Sequence, residues 1–365
     1  MDKNKWEYRP FEECIERIPH PKQVKTSEYH LEGQYPIVSQ EESLLSGYSD
    51  NEESLYRVPR PIVVFGDHTR VLKYIDFDFV VGADGVKILI PCEGLLAKFL
   101  FYYLQWYKIP NLGYSRHYKL LKEISVPFPP LSDQQVVVSE LDQLNELISL
   151  KQEQLKEYDA LAQSLFYEMF GDPMNNEKGW ETSTYGKEYY ISSGGTPSKS
   201  VKDYWEGGNI PWIGSNMCQN CILYETDGKY ITTEGLNHSS TRLLPKGSIL
   251  IALVGATIGK VALLECETAI NQNVAYILND DKFDSFFLYY HTMGLYKLFL
   301  NIGNGKFKMA NQKFVKGLPV MLPPLSLQHS FATKVRAIEA QMALLKQSIG
   351  ELQTLLASRM QEYFS

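Results

Sequence analysis

Apolar residues recur at alternating three- and four-residue steps over two long stretches of this 365-residue chain. In the first they fall at Leu141, Leu144, Ile148, Leu155, Tyr158, Ala162 and Leu165, with Lys151 as the break. In the second they fall at Val335, Ile338, Met342, Leu345, Ile349, Leu352 and Leu356, and the opposite faces are heavily polar in both. A narrow seam kept for about four heptads predicts long coiled-coil helices. Two amphipathic helices lying on separate cores would be the alternative. Each run opens on the same motif, Phe128-Pro129-Pro130-Leu131-Ser132-Asp133-Gln134 and Leu322-Pro323-Pro324-Leu325-Ser326-Leu327-Gln328, 194 residues apart. The prolines stop any upstream element, and Ser132 with Gln135 is expected to form a capping box. In the second copy Ser326 caps, but His329 replaces the glutamine. Gly171 and Pro173 end the first helix.

Before each helix the period shortens to that of strands. Tyr35–Ser39, Pro61–Gly66, Val71–Val81 and Gly85–Ile90 read as strands. Asp76 and Asp78, two apart on one strand, would share a solvated face. Leu95–Trp106 reads as a buried helix, and 17–21, 41–53 and 113–119 as loops. Residues 180–320 repeat this plan. Trp6-Glu7 answers Trp180-Glu181, Pro36–Val38 answers Pro211–Ile213, Ile62–Gly66 answers Ile251–Gly255, and Val86 answers Val274. Phe101–Tyr103 and Leu121-Lys122 answer Leu288–Tyr290 and Val315-Lys316. The reading is an α/β (α+β) fold used twice: mixed domains at 1–128 and 172–322, each followed by a long helix, at 129–171 and 323–365.

An apolar fraction of 44% suffices for packed cores. No apolar run reaches 18 residues, so no membrane span is expected. The start, Met1-Asp2-Lys3-Asn4-Lys5-Trp6, lacks an apolar signal core, which points to the cytoplasm. The net charge of -7 lies mostly on residues 129–171, which carry 2 basic against 8 acidic residues, while 172–322 balance 14 against 14. A near-neutral domain can still offer one basic face to nucleic acid. Five scattered cysteines fit reduced thiols, and Cys218-x-x-Cys221 has no second pair to complete a zinc site.

Catalytic motifs fail. Gly255-Ala256-Thr257-Ile258-Gly259-Lys260-Val261 is one residue short of a phosphate loop and ends in Val. No dinucleotide fingerprint follows a strand, and Asp67-His68 has no nucleophile placed beside it. No cofactor and no enzymatic activity are expected. Recognition loops remain. Asn271-Gln272-Asn273 offers amides suited to adenine edges. Gly305-Lys306-Phe307-Lys308 with Asn311 and Gln312 combines cations, an aromatic ring and amides. Tyr114, Arg116, His117 and Lys119 occupy the matching loop of the first copy. Ser193-Gly194-Gly195-Thr196-Pro197 could present backbone N–H groups to a phosphate.

Several of these stretches together resemble the specificity (S) subunit of a Type I restriction-modification system. They are the two Pro-Pro-Leu-Ser-x-Gln starts, Tyr167–Pro173, Trp180, Ser193–Ser198, Ile210–Ile213, Gly255–Val261 and Ile270-Asn271-Gln272. The first domain carries Phe65-Gly66-Asp67-His68-Thr69-Arg70 instead of the Ser-Gly-Gly-Thr-Pro and Gly-x-x-x-Gly-Lys stretches, and looks like a different variety of the same domain. The resemblance implies two target-recognition domains, each reading one half of a split, asymmetric double-stranded DNA sequence. It implies spacer helices pairing as an antiparallel coiled coil, and docking of methyltransferase (M) subunits, two in number, with nuclease/translocase (R) subunits joining. The residues nominated for DNA are Thr69, Arg70, Tyr114, Arg116, His117 and Lys119 in the first domain. In the second they are Ser193, Thr196, Ser215, Thr257, Lys260, Asn271, Gln272, Asn273, Lys306, Lys308, Asn311 and Gln312. A coiled-coil scaffold without a DNA role, or an enzyme with an unrecognised nuclease or methyltransferase site, stays compatible with the residues alone.

Overall fold

The computed structural model describes residues 6–365 apart from 20, 84, 114, 279, 281 and 303–308. It divides into two units, Met1–Gln152 with Gln347–Ser365, and Glu153–Lys346.

In the first unit, strand Ile62–Gly66 is buried throughout and lies between Leu72–Ile75 and Val86–Leu89, antiparallel to both. Alternation along the strand splits its side chains between two cores. Val63 and Phe65 pack with Leu89 and with Phe99, Leu100 and Tyr103 of helix Ala97–Tyr107. Ile62 and Val64 join Val38, Phe79 and Val81. Tyr35–Val38 runs parallel to Phe79–Val81. The strand expected over 71–81 is broken at 76–78. Asp78 turns its carboxylate to the backbone N–H of Val58, 2.8 Å away, so the two acids do not share a strand face. The stretch 41–53, read as loop, also contains strand Gly47–Ser49.

The second unit repeats the topology. Ile249–Ala252 is central and antiparallel to Val261–Leu264 and Val274–Ile277. Ile210–Ile213 runs parallel to Ala269–Ile270. In each unit the first strand pairs antiparallel with the strand before a long helix: Glu7–Pro10 with Ser125–Phe128, and Thr182–Thr184 with Pro319–Met321. The ladders correct one correspondence. Gly66 faces Val86 and Ala252 faces Val274, so Gly66 answers Ala252 rather than Gly255. Val254-Gly255 instead begins the turn after the strand.

The long helices span Leu131–Phe170 and Leu325–Phe364. Every seam residue is buried or half-buried. Within the first unit the start of one helix lies beside the end of the other: Arg359 Nε is 2.8 Å from Glu140 Oε1. Within the second the end of the first lies beside the start of the second, with the Phe166 and Phe331 rings 5.6 Å apart. In each unit the two therefore run antiparallel.

The expected capping box is replaced by a longer-range device. The helices start at Leu131 and Leu325, which puts Ser132 and Ser326 inside the first turn. Gln134 is buried; it accepts from Leu96 N at 2.8 Å and donates to Gly94 O and Pro129 O, both at 2.8 Å. Gln328 accepts from Asp284 N at 3.0 Å and donates to Pro323 O at 2.9 Å. Leu96 and Asp284 are the N-cap residues of the apolar helices Ala97–Tyr107 and Ser285–Gly294. One glutamine thus ties each long helix to the core helix of its own domain. Gln134→Ala leaves three polar groups unpaired, Pro129 O fully buried and Leu96 N and Gly94 O partly so, and should cost about 3 kcal/mol. Urea denaturation measures this, and an unchanged midpoint would count against the joint.

A second buried chain lies under the second domain. His291 Nε2 accepts from Met321 N at 3.2 Å, and its Nδ1 donates to Tyr185 Oη at 2.9 Å. Tyr185 donates to Thr292 Oγ1, and Thr292 to Leu288 O. Burial pushes the His291 pKa down to about 3 from 6.5. The unfolded chain therefore binds a proton first as pH falls. This contribution to stability is complete above pH 6.5 and is lost between 6.5 and 3. The slope is roughly 1.4 kcal/mol per pH unit. Urea titrations across that window should show the slope in the native chain and its loss in His291→Gln. Equal slopes would show that His291 is not the titrating group.

Candidate nucleic-acid interface

Strand register gathers the polar loops of the second unit. Ser193 ends its strand opposite Ala275, Ala252 opposite Val274, and Val261 begins opposite Ile251. Ile213 ends alongside Ile270. Loops 194–197, 214–217, 253–260 and 271–273 therefore leave from one edge. Side chains connect them: Thr196 donates to Gln272 Oε1 at 2.5 Å, and Gln312 donates to Ser193 Oγ at 2.7 Å. Ala310 N donates to Leu253 O at 2.8 Å, which brings Asn311 to the same edge. Asn311 caps helix Gln312–Gly317 through Phe314 N at 2.9 Å. Asn271 Oδ1 accepts from Asn273 N at 3.0 Å, an Asx turn that fixes the loop. Gln272 is exposed, and Lys260 reaches Gln219 Oε1 at 2.7 Å. Thr257 closes the tight turn that presents Lys260, its carbonyl accepting from Lys260 N at 2.9 Å. Ser215 opens a 3-10 turn beside them.

The glycines of Ser193–Pro197 do not form a phosphate cradle. Gly194 N donates to Val274 O at 3.2 Å and Gly195 N to Ile270 O at 3.0 Å, so both N–H groups face inward. A Cβ on Gly194 would sit 2.0 Å from Ile270 O. These residues are glycine because two backbones meet there.

The first unit has the matching edge. Gly66 ends its strand opposite Val86, and Val38 ends alongside Val81. Thr69 donates to Gln40 O at 2.6 Å, and His68 N to Gln40 Oε1 at 3.2 Å. Arg70, in the left-handed region at φ 64°, donates to Ile109 O at 3.1 Å. His117, nominated as a DNA contact, is fully buried. Its Nε2 accepts from Leu112 N at 3.0 Å and its Nδ1 donates to Asp67 O at 2.9 Å. Both ring nitrogens serve the loop, so His117 is a structural pin and not a surface reader. Arg116 and Lys119 beside it are exposed and pair with no acid among the described residues. Tyr114, Lys306 and Lys308 lie outside the described residues.

Three polar groups at these edges escaped the sequence reading: Gln40, Asn216 and Gln219. Gln40 had a usable signal, since pairing Pro36–Val38 with Pro211–Ile213 puts Gln40 at the place of Ser215. Asn216 and Gln219 had none, because their loop meets 260 and 271 only in the fold. Among the described residues no group of three or more His, Cys, Asp or Glu is placed to hold a metal ion, and no helix is long and apolar enough to cross a membrane.

A family model described as the Type I restriction modification DNA specificity domain matches residues 3–158 and again residues 177–354. The chain belongs to this family. The two matched segments fall on the two halves of the repeat. Among curated relatives, the Type I restriction enzyme EcoR124I/EcoR124II specificity subunit of Escherichia coli is 30% identical over 70% of this chain and 66% of its own length. The putative type I restriction enzyme MjaX specificity subunit of Methanocaldococcus jannaschii is 24% identical over 60% of this chain and 53% of its own. The matches thus span less than two thirds of either relative. A Type-I restriction-modification system S subunit from M. genitalium shares the fold of this specificity-domain chain. Its crystal structure superposes with a TM-score of 0.63 at 14% identity, covering 99% of this chain and 96% of that one.

Proposed function

We propose that this chain is the sequence-reading subunit of a Type I restriction-modification complex and itself catalyses nothing. Residues 1–128 and 172–322 act as two target-recognition domains, each reading one half of a bipartite, asymmetric double-stranded DNA site. Residues 129–171 and 323–365 act as the spacer. Two methyltransferase subunits dock on the chain, and nuclease/translocase subunits join the larger assembly in the cytoplasm. The observation that supports this reading best is the repeated loop edge. Equivalent strand ends in both units gather hydroxyl, amide and cationic groups, while the residues themselves differ, as two readers of different half-sites require.

In the second domain Gln272, with Asn271 behind it, is assigned to base edges. Lys260 is assigned to a phosphate, and Lys306 and Lys308 to the same surface. In the first domain Arg116 and Lys119 are assigned to the DNA. Gln272→Ala should cost roughly 1–3 kcal/mol of discrimination at one base pair. Lys260→Ala should weaken all sequences alike and reduce the salt slope by about one. Binding of the complex to duplexes at several salt concentrations, with mapping of methylated sites, tests both. A Gln272→Ala complex with unaltered base preference would remove that loop from the reading surface.

A further inference from the structure

The second unit holds a cavity of about 310 Å³ between its portions of the two long helices and the domain they carry. Asp159, Glu339, Lys346, Tyr224, Tyr289 and Tyr290 line it, over a floor that includes Leu155 and Met342. Tyr289 and Tyr290 are only 4% and 6% exposed, yet neither hydroxyl has a hydrogen-bond partner among the described residues. Both residues line the cavity, so their hydroxyls can accept from a group bound there. Asp159 and Glu339 also make no hydrogen bond or ion pair among the described residues. Desolvation raises both carboxyls, Lys346 draws both back down, and the Asp159 carboxylate opposes the charge on Glu339. Lys346 compensates one of the two acids, so the charged lining carries one net negative charge. The volume is that of a small-molecule site.

We propose that this cavity binds a small aliphatic ammonium compound. Its cation would lie between Asp159 and Glu339, its N–H groups would donate to the tyrosine hydroxyls, and its methylenes would rest on Leu155 and Met342. Tyrosine ring faces suit such a cation. The lining asks for positive charge and for hydrogen-bond donors, and an aliphatic amine supplies both.

The probe is putrescine, with 1,4-butanediol as its neutral counterpart and potassium chloride at matched ionic strength. Calorimetric titration and thermal melting of the full chain are the readouts. Putrescine should bind saturably and raise the melting temperature, and the diol and the salt should not. Asp159→Asn and Glu339→Gln should each weaken binding at least about tenfold. Glu153→Gln, an exposed change of the same charge, should leave binding intact. Tyr289→Phe, which keeps the ring, should weaken it several-fold. An equal response to diol and diamine would overturn the proposal. So would binding that survives Asp159→Asn, or binding that Glu153→Gln weakens as much. None of these outcomes touches DNA reading, so this proposal and that one fail separately.

Discussion

A chain carrying another specificity subunit's segment in place of residues 172–322 should direct methylation to a motif with one half changed and the other half intact. Each domain has a core of its own. Val63, Phe65 and Leu89 pack with Phe99 and Leu100, and Ile249, Ile251 and Val261 with Phe287 and Leu288. The exchanged segment must rebuild its contacts with the long helices, chief among them Phe287 and Tyr290 on Phe166, Phe287 on Phe170, Tyr290 on Phe331, Trp180 on the Phe170 carbonyl and Asp284 on Gln328. A donor that keeps an aromatic pair and a capped helix there should fold. Each mismatched base pair costs about 1–3 kcal/mol. Three changed pairs would lower affinity for the original motif on the order of a thousandfold. Methylome sequencing of cells with the parent and exchanged chains reads this directly. Both halves changing together would show that the domains do not read independently.

Four residues added to each long helix, after Gln152 and after Lys346, should shift the gap between half-sites while leaving both half-sites as they were. These are the points where each helix passes from one unit to the other. The additions lengthen the spacer by about 6 Å and rotate one end of it against the other by about 40°. At roughly 3.4 Å per base pair the length corresponds to one or two extra pairs. The rotation should weaken binding even at the best new gap, because both readers want one face of the duplex. No loop moves relative to its own sheet, so base preferences should persist. Methylation mapping of the variant decides the matter. Full activity at the original gap would show that the helices are not the ruler.

The features most legible in the sequence were those set by local period or by repetition. The seam from Leu141 to Leu165 and its copy lie against other groups as their spacing requires, and Ile62–Gly66 is a strand because five small or apolar residues in a row suit a strand covered on both faces. Harder to read was anything that depends on a partner distant in sequence. Ser132 and Gln135 spell a capping box, but Gln134 finds Leu96, 38 residues back. His117 stands among polar residues and looks like surface until Asp67, 50 residues away, takes its ring N–H. Gly194-Gly195 looks like a phosphate loop until the Ile270 carbonyl occupies the space. The nominated residues of the second domain converged better, because strand ends bring their loops together whatever the loops contain.

The order in which the chain is made bears on how it folds. The second unit is contiguous, from Glu153 to Lys346, and has all its parts once that stretch has left the ribosome. The first does not. Phe364 packs against Phe99, Tyr103 and Trp106, and Trp106 donates to Gln361 at 3.0 Å, contacts spanning more than 250 residues. Until residues 347–365 emerge, the aromatic wall of helix Ala97–Tyr107 stays uncovered. The domain synthesised first is thus completed last, and in the interval it is the part of the nascent chain that needs shielding from aggregation.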